Sequence, residues 1–142
     1  MLKGIDPLLG PELLRVLRAM GHGDEIVIAD ANFPAASTHG TVIRADGVEA
    51  PRMVAAIVSV LPLDEFVENA AFRMAFVDSP AQTPPITHDF RRVLSNAGYD
   101  REIEPIERFA FYDRARAAFA IVATGEPRLY GNLILKKGII GG

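Results

Sequence analysis

A chain of 142 residues and 15.4 kDa fits one domain of ordinary size, and its 49% hydrophobic content is enough to build a core without staples. Cysteine is absent, which removes disulfides, thiolate metal sites and a cysteine nucleophile together. With 15 Lys and Arg against 18 Asp and Glu the formal charge is -3, so no sequence-wide field draws in nucleic acid or an acidic membrane surface.

The opening segment Met1 to Gly10 carries one Lys and no long apolar run, and no stretch approaches the roughly 20 apolar residues of a membrane span; a cytoplasmic protein is expected. Pro11 followed by Leu13, Leu14, Leu17 and Met20 predicts a helix that Gly21 ends. Glu25 to Ala29 reads as a buried strand, and Asp30-Ala-Asn-Phe-Pro34 breaks it, placing Asp30 at a strand's carboxyl end. A polar loop through Gly40 leads to Thr41-Val-Ile-Arg44, then a turn at Ala45-Asp46-Gly47 and a mostly apolar helix from Pro51 to about Leu61. Phe72 to Val77 predicts a strand, Ser79 to Pro85 a loop, and Thr87 to Asn96 an amphipathic helix closed near Gly98. In the last third, Ile103 to Glu107 predicts a short strand, Arg108 to Ala117 a helix, Phe119 to Ala123 a strand and Asn132 to Lys136 a final strand. Gly138 to Gly142 reads as a frayed tail. Strands alternating with helices indicate an α/β layered sheet in one domain over residues 1–142.

Three segments carry groups with chemistry to offer. His22 stands between Gly21 and Gly23, where the backbone leaves room for close approach, and an imidazole gives or takes a proton near neutral pH. A helix cap and turn around a structural His would use the same residues. Asp30 lies where ligands of α/β sheets gather, though a turn-forming role accounts for it equally well. His22 and Asp30 flank one strand, so only neighbouring segments can bring such groups together. In Glu107 to Phe119, Phe109 and Phe111 read as core and Arg114 and Arg116 as solvated. Arg108, a cation where the helix dipole disfavours one, calls for another reason to be there. Tyr130-Gly131-Asn132 sets a phenol and an amide around a glycine, a set that matches a polyol's hydroxyls, or simply makes a turn. His39 and His88 have no second ligand at metal spacing, and neither nucleotide-binding glycine motifs nor a nucleophile elbow occur. Neither a metal nor a cofactor is expected.

These segments, with Leu2-Lys-Gly, Ile43-Arg-Ala-Asp-Gly47, Ala123-Thr-Gly-Glu126 and Leu133-Ile-Leu-Lys-Lys-Gly138, resemble the family of L-fucose mutarotases and D-ribose pyranases essentially end to end. Gly23, Arg108 and the Gly of Tyr-Gly-Asn are similar to the fucose branch, where the ribose branch usually has Thr, His and Ala. Asn32 departs from the His of some bacterial fucose mutarotases. The resemblance implies a three-layer α/β/α single domain with a mixed, mainly parallel sheet, and a cofactor-independent isomerase that exchanges the α and β anomers of L-fucose or a related sugar. It implies His22 as proton donor, Asp30, Arg108, Tyr130, Gly131 and Asn132 as sugar-binding positions, and a homo-oligomer, commonly a decameric ring, with sites near subunit contacts. Two alternatives stay open: a sugar-binding or transport-accessory protein without turnover, and D-ribose pyranase-type exchange.

Overall fold

The computed structural model describes residues 1–142. Eleven elements follow in the order α1 (Pro11–Ala19), β1 (Glu25–Ala29), α2 (Ala35–Thr38), β2 (Val42–Ala45), α3 (Ala50–Val58), β3 (Ala71–Met74), α4 (Ile86–Asn96), β4 (Ile103–Ile106), α5 (Arg108–Ala117), β5 (Ala120–Thr124) and β6 (Leu133–Lys136). The six strands form one sheet in the order β2-β5-β1-β6-β3-β4. The pairs β2–β5, β5–β1 and β3–β4 are parallel, whereas β6 runs antiparallel between β1 and β3.

Side-chain alternation sorts the strands onto two cores. Ile26, Ile28, Ala71, Ala120, Val122, Leu133 and Leu135 face the layer of α1, α3 and α4, while Val27, Phe72, Met74, Ile121 and Ile134 face α2 and α5. Both faces are covered, which is why the strands read as continuous apolar runs in the sequence. Proline opens α1 and α3, where a missing N–H costs nothing. Glu107 caps α5, its carboxylate accepting from the N–H groups of Phe109 and Ala110 at 2.9 and 3.0 Å.

Several local expectations change. The strand foreseen to Val77 ends at Met74, with Val77 exposed, and the polar loop before β2 contains the single helical turn α2. Phe109 is 63% exposed and not core, while Phe111 is fully buried. Arg114 is not free in solvent: it pairs with Glu25 of β1 and lies 3.8 Å over the Phe72 ring, fastening α5 to the sheet. Gly138 is packed rather than frayed, its N–H bonded to the Pro62 carbonyl at 2.8 Å, and a Cβ there would sit 2.6 Å from the Leu63 oxygen. His39 has a structural place, accepting at Nδ1 from the Thr41 N–H (2.8 Å) and donating from Nε2 to the Ala118 carbonyl (2.6 Å).

Candidate functional site

Four of the six residues singled out in the sequence meet in one cavity of about 270 Å³ at the carboxyl end of β1. Asp30, Arg108, Tyr130 and Asn132 line it together with Asn32, Phe33, Pro34, Met74, Tyr112 and Leu129. They arrive from three places in the fold: Asp30 where β1 ends, Arg108 in the first turn of α5, Tyr130 and Asn132 where the chain enters β6. Because β6 runs antiparallel to both β1 and β3, its entry lies beside the exit of β1, and an entering strand and a leaving strand meet at one edge.

Asp30 is buried, and its backbone N–H donates to Asn132 Oδ1 at 2.8 Å. Its own carboxylate accepts from the Asn32 N–H at 2.9 Å. Burial pushes the Asp30 carboxyl above the ordinary aspartate value, and the N–H groups of Asn32, Gly131 and Phe33 oppose that only in part. Asp30 is therefore a group that takes up a proton more readily than a surface carboxylate. Arg108 lies with its guanidinium 4.8 Å over the exposed Phe109 ring, and its buried Nε has no hydrogen-bond partner within the chain. An orphaned donor on a cavity wall is a place for a ligand oxygen. Tyr130 packs edge-on against Phe76 at 4.7 Å, and its hydroxyl accepts weakly from the Val77 N–H at 3.4 Å. Gly131 lies behind the wall: a Cβ would approach Glu126 Cγ to 2.8 Å, so only glycine fits there.

His22 is elsewhere. It precedes β1 while Asp30 follows it, and a five-residue strand spans about 17 Å. Within one chain Asp30 does not orient His22. The partner of His22 is instead Asp64, with Nε2 and Oδ1 3.0 Å apart, and its ring lies against Phe66 at 5.4 Å. Asp64 is 3% exposed, and the Phe66 N–H on its Oδ1, at 3.0 Å, together with His22 holds its carboxyl below the usual aspartate range. An ionised Asp64 only accepts, so Nε2 donates to it, and in the neutral ring the lone pair is the one on Nδ1. The imidazole side chain is 45% exposed beside the exposed Phe66, Ile139 and Ile140. Gly23, at a φ of 86°, makes this turn possible, and its N–H donates to the Lys137 carbonyl at 2.8 Å. Asp64 escaped the sequence reading because it lies 42 residues from His22 in an irregular segment. Tyr112 and Met74 escaped because helix and strand packing explains them. No three His, Asp or Glu side chains come together as a metal-binding group.

Residues 3–140 match the pattern of the RbsD / FucU transport protein family. The chain belongs to that family. A fucose mutarotase of Danio rerio is 53% identical to it, with 99% of this chain and 95% of the relative covered, and the Homo sapiens fucose mutarotase is 50% identical over 98% and 94%. The crystal structure of a Streptococcus pneumoniae fucose mutarotase in complex with L-fucose superposes with a TM-score of 0.92 at 44% identity, covering 99% of this chain and all of the other. Bacillus subtilis RbsD, solved with D-ribose, shares the fold at a TM-score of 0.73 and 23% identity. No helix of this family member is long and apolar enough to cross a membrane.

Proposed function

We propose that this protein is a cofactor-independent isomerase, an L-fucose mutarotase, and that the Asp30, Arg108, Tyr130 and Asn132 cavity holds the sugar. The cavity supports this reading best. It sets a proton-accepting carboxyl, an unpartnered guanidinium donor, a phenol and an amide within one small concave wall, the inventory a polyhydroxylated ring needs. Relatives at 45 to 53% identity over nearly the whole chain are fucose mutarotases, which favours fucose over ribose.

Anomer exchange requires the anomeric hydroxyl to lose a proton and the ring oxygen to gain one. The ring then opens to the aldehyde, the C1–C2 bond rotates, and reclosure on the other face returns both protons. Asp30 or Tyr130 sits at the sugar to take or give one proton. The second proton carrier is His22, poised by Asp64 with Nδ1 free, yet at the far end of the sheet. The reading therefore includes assembly: the partner subunit's His22 completes each cavity, in a closed homo-oligomer of the decameric kind. Exposed Phe66, Ile139 and Ile140 around His22 and exposed Leu129 and Phe109 around the cavity supply the apolar area such a contact covers.

Saturation-transfer NMR on equilibrated L-fucose tests the activity. Micromolar protein should speed magnetisation transfer between the anomers, with ribose the poorer substrate; unchanged fucose transfer beside accelerated ribose transfer would move the chain to the pyranase reading. The shared site has its own test. His22→Ala and Asp30→Asn, each impaired alone, should regain activity when unfolded and refolded together, because mixed rings contain cavities lacking neither group. No regain would place the whole site in one chain.

A further inference from the structure

Glu126 lies between β5 and β6 with its side chain fully buried. A carboxylate in that position persists only if its lone pairs are occupied. Oε1 accepts from the Arg128 N–H and Nε at 3.0 and 2.9 Å, and Oε2 from Arg128 Nη2 and from the Ala50 N–H at the start of α3, both at 3.2 Å. The other arm of Arg128, Nη1, reaches Asp89 in the first turn of α4 at 2.6 Å. The Glu126 carbonyl accepts from the Ala31 N–H at 2.9 Å, next to Asp30. Glu126 thus ties the β5–β6 connection to α3 through its carboxylate, to α4 through the Arg128 it clamps, and to the end of β1 through its own carbonyl.

What this connection presents is Tyr130, the one non-glycine residue with positive φ, at 62°. A tyrosine adopts that conformation only where its surroundings over-determine it. The next residue shows what does so: Gly131 rests on the Glu126 stem and the Arg128 carbonyl, which a Cβ would meet at 2.8 and 3.0 Å. Asn132, one residue further, then holds the Asp30 N–H. We propose that Glu126 is a positioning residue: clamped by Arg128, it forms the floor that holds Tyr130 in the left-handed conformation and so aims the Tyr130 phenol and the Asn132 amide into the cavity. The functional half of this inference rests on the reading of Tyr130 and Asn132 as sugar-facing; the conformational half does not.

Glu126→Gln keeps the shape but puts an NH₂ donor against donors. In the sugar-free protein, the one-bond Cα–Hα coupling of Tyr130, which separates positive from negative φ, should lose its left-handed value. At a temperature well below the unfolding midpoint, fucose exchange should fall about tenfold or more, mainly in kcat, since misplacing a reacting group by about 1 Å can cost 10²-fold. Ile57→Val, in the buried face of α3, should lower stability while leaving both readouts unchanged. Should Glu126→Gln not fold, Asp89→Asn frees the outer arm of Arg128 and should shift both readouts in the same direction by a smaller amount. An unchanged Tyr130 coupling in the folded variant overturns the proposal whether or not the wild type exchanges fucose. A changed coupling with undiminished exchange overturns its functional half. A wild type without exchange defeats the mutarotase reading, and the coupling still decides the role of Glu126.

Discussion

On the proposed reading, proton transfer and hydroxyl recognition fall to different residues, and single substitutions separate them. His22 has one firm partner, Asp64, and an open Nδ1, which suits exchange of a proton more than grip on a ring. His22→Ala should therefore lower fucose exchange by about 10² to 10⁴ while the fold and much of the sugar affinity remain; near-normal exchange would shift the proton to Tyr130 and Asp30 alone. Arg108 has the opposite profile. Arg108→Lys keeps the charge but loses the planar donor set and the unpartnered Nε, so the dissociation constant for fucose, read by titration, should rise before kcat changes. Both residues stood out in the sequence for physical reasons: glycines flanking a His, and a cation at a helix start where the dipole repels it. Asp64 and Glu126 were not, because a carboxylate becomes informative only when it is seen buried and what surrounds it is known.

Elements were legible where burial leaves a pattern. The β-branched runs of β1 and β5 and the proline-opened helices α1 and α3 stand close to their expected bounds, since apolar periodicity and capping chemistry are local properties. The four residues of α2 show no helical period, and their turn is held by tertiary contacts such as His39 to Ala118. The excess length foreseen for β3 came from Ala75, Phe76 and Val77, apolar residues that wall a cavity instead of extending the sheet. Strand order is not a local property and could not be read at all. In β3, Arg73 occupies a core-facing place 5% exposed, with Nε and Nη1 unpartnered and Arg91 nearby, and burial lowers its pKa. Unsatisfied buried donors cost about 1–3 kcal/mol, so Arg73→Met, which keeps the stem, should raise stability by about 1 kcal/mol or more in urea titration. A loss would mean that Arg73 has a partner in the assembled protein.

Across the molecule, several carboxylates are held below their ordinary values: Asp64 by the Phe66 N–H, Asp89 by Arg128, and Glu107 by the N–H groups of Phe109 and Ala110. Glu126 joins them although burial alone would push it up, because Arg128 and the N–H groups of Arg128 and Ala50 outweigh that push. For a depressed pKa the folded state binds the proton less readily than the unfolded chain. The stability these groups add is complete above the unfolded values, 3.8 for Asp and 4.5 for Glu, and is lost as pH falls through the lower folded values. Asp30, raised by burial, has the opposite sign: it contributes below its unfolded value, and that contribution is lost as pH rises through its higher folded value. Urea midpoints should accordingly be steady near neutrality and drop steeply below about pH 4, with the carboxylates that are held low outnumbering Asp30. A flat profile to pH 3 would show these contacts to be weak in solution.

The place of β6 bears on how the protein comes into being. Sixth in the sequence but fourth across the sheet from one edge and third from the other, it is the only strand that joins the β2-β5-β1 half to the β3-β4 half. Its entry carries Tyr130 and Asn132, and just beyond its end the Lys137 backbone straps the His22 turn through Gly23 and Asp24. During synthesis the two half-sheets must wait, with open edges, for a strand that emerges after all the others. The order of emergence makes the proposed chemistry and completion coincide: neither the proposed sugar cavity nor the seat of His22 exists in a nascent chain until β6 has slid between the halves, so a half-made molecule holds neither.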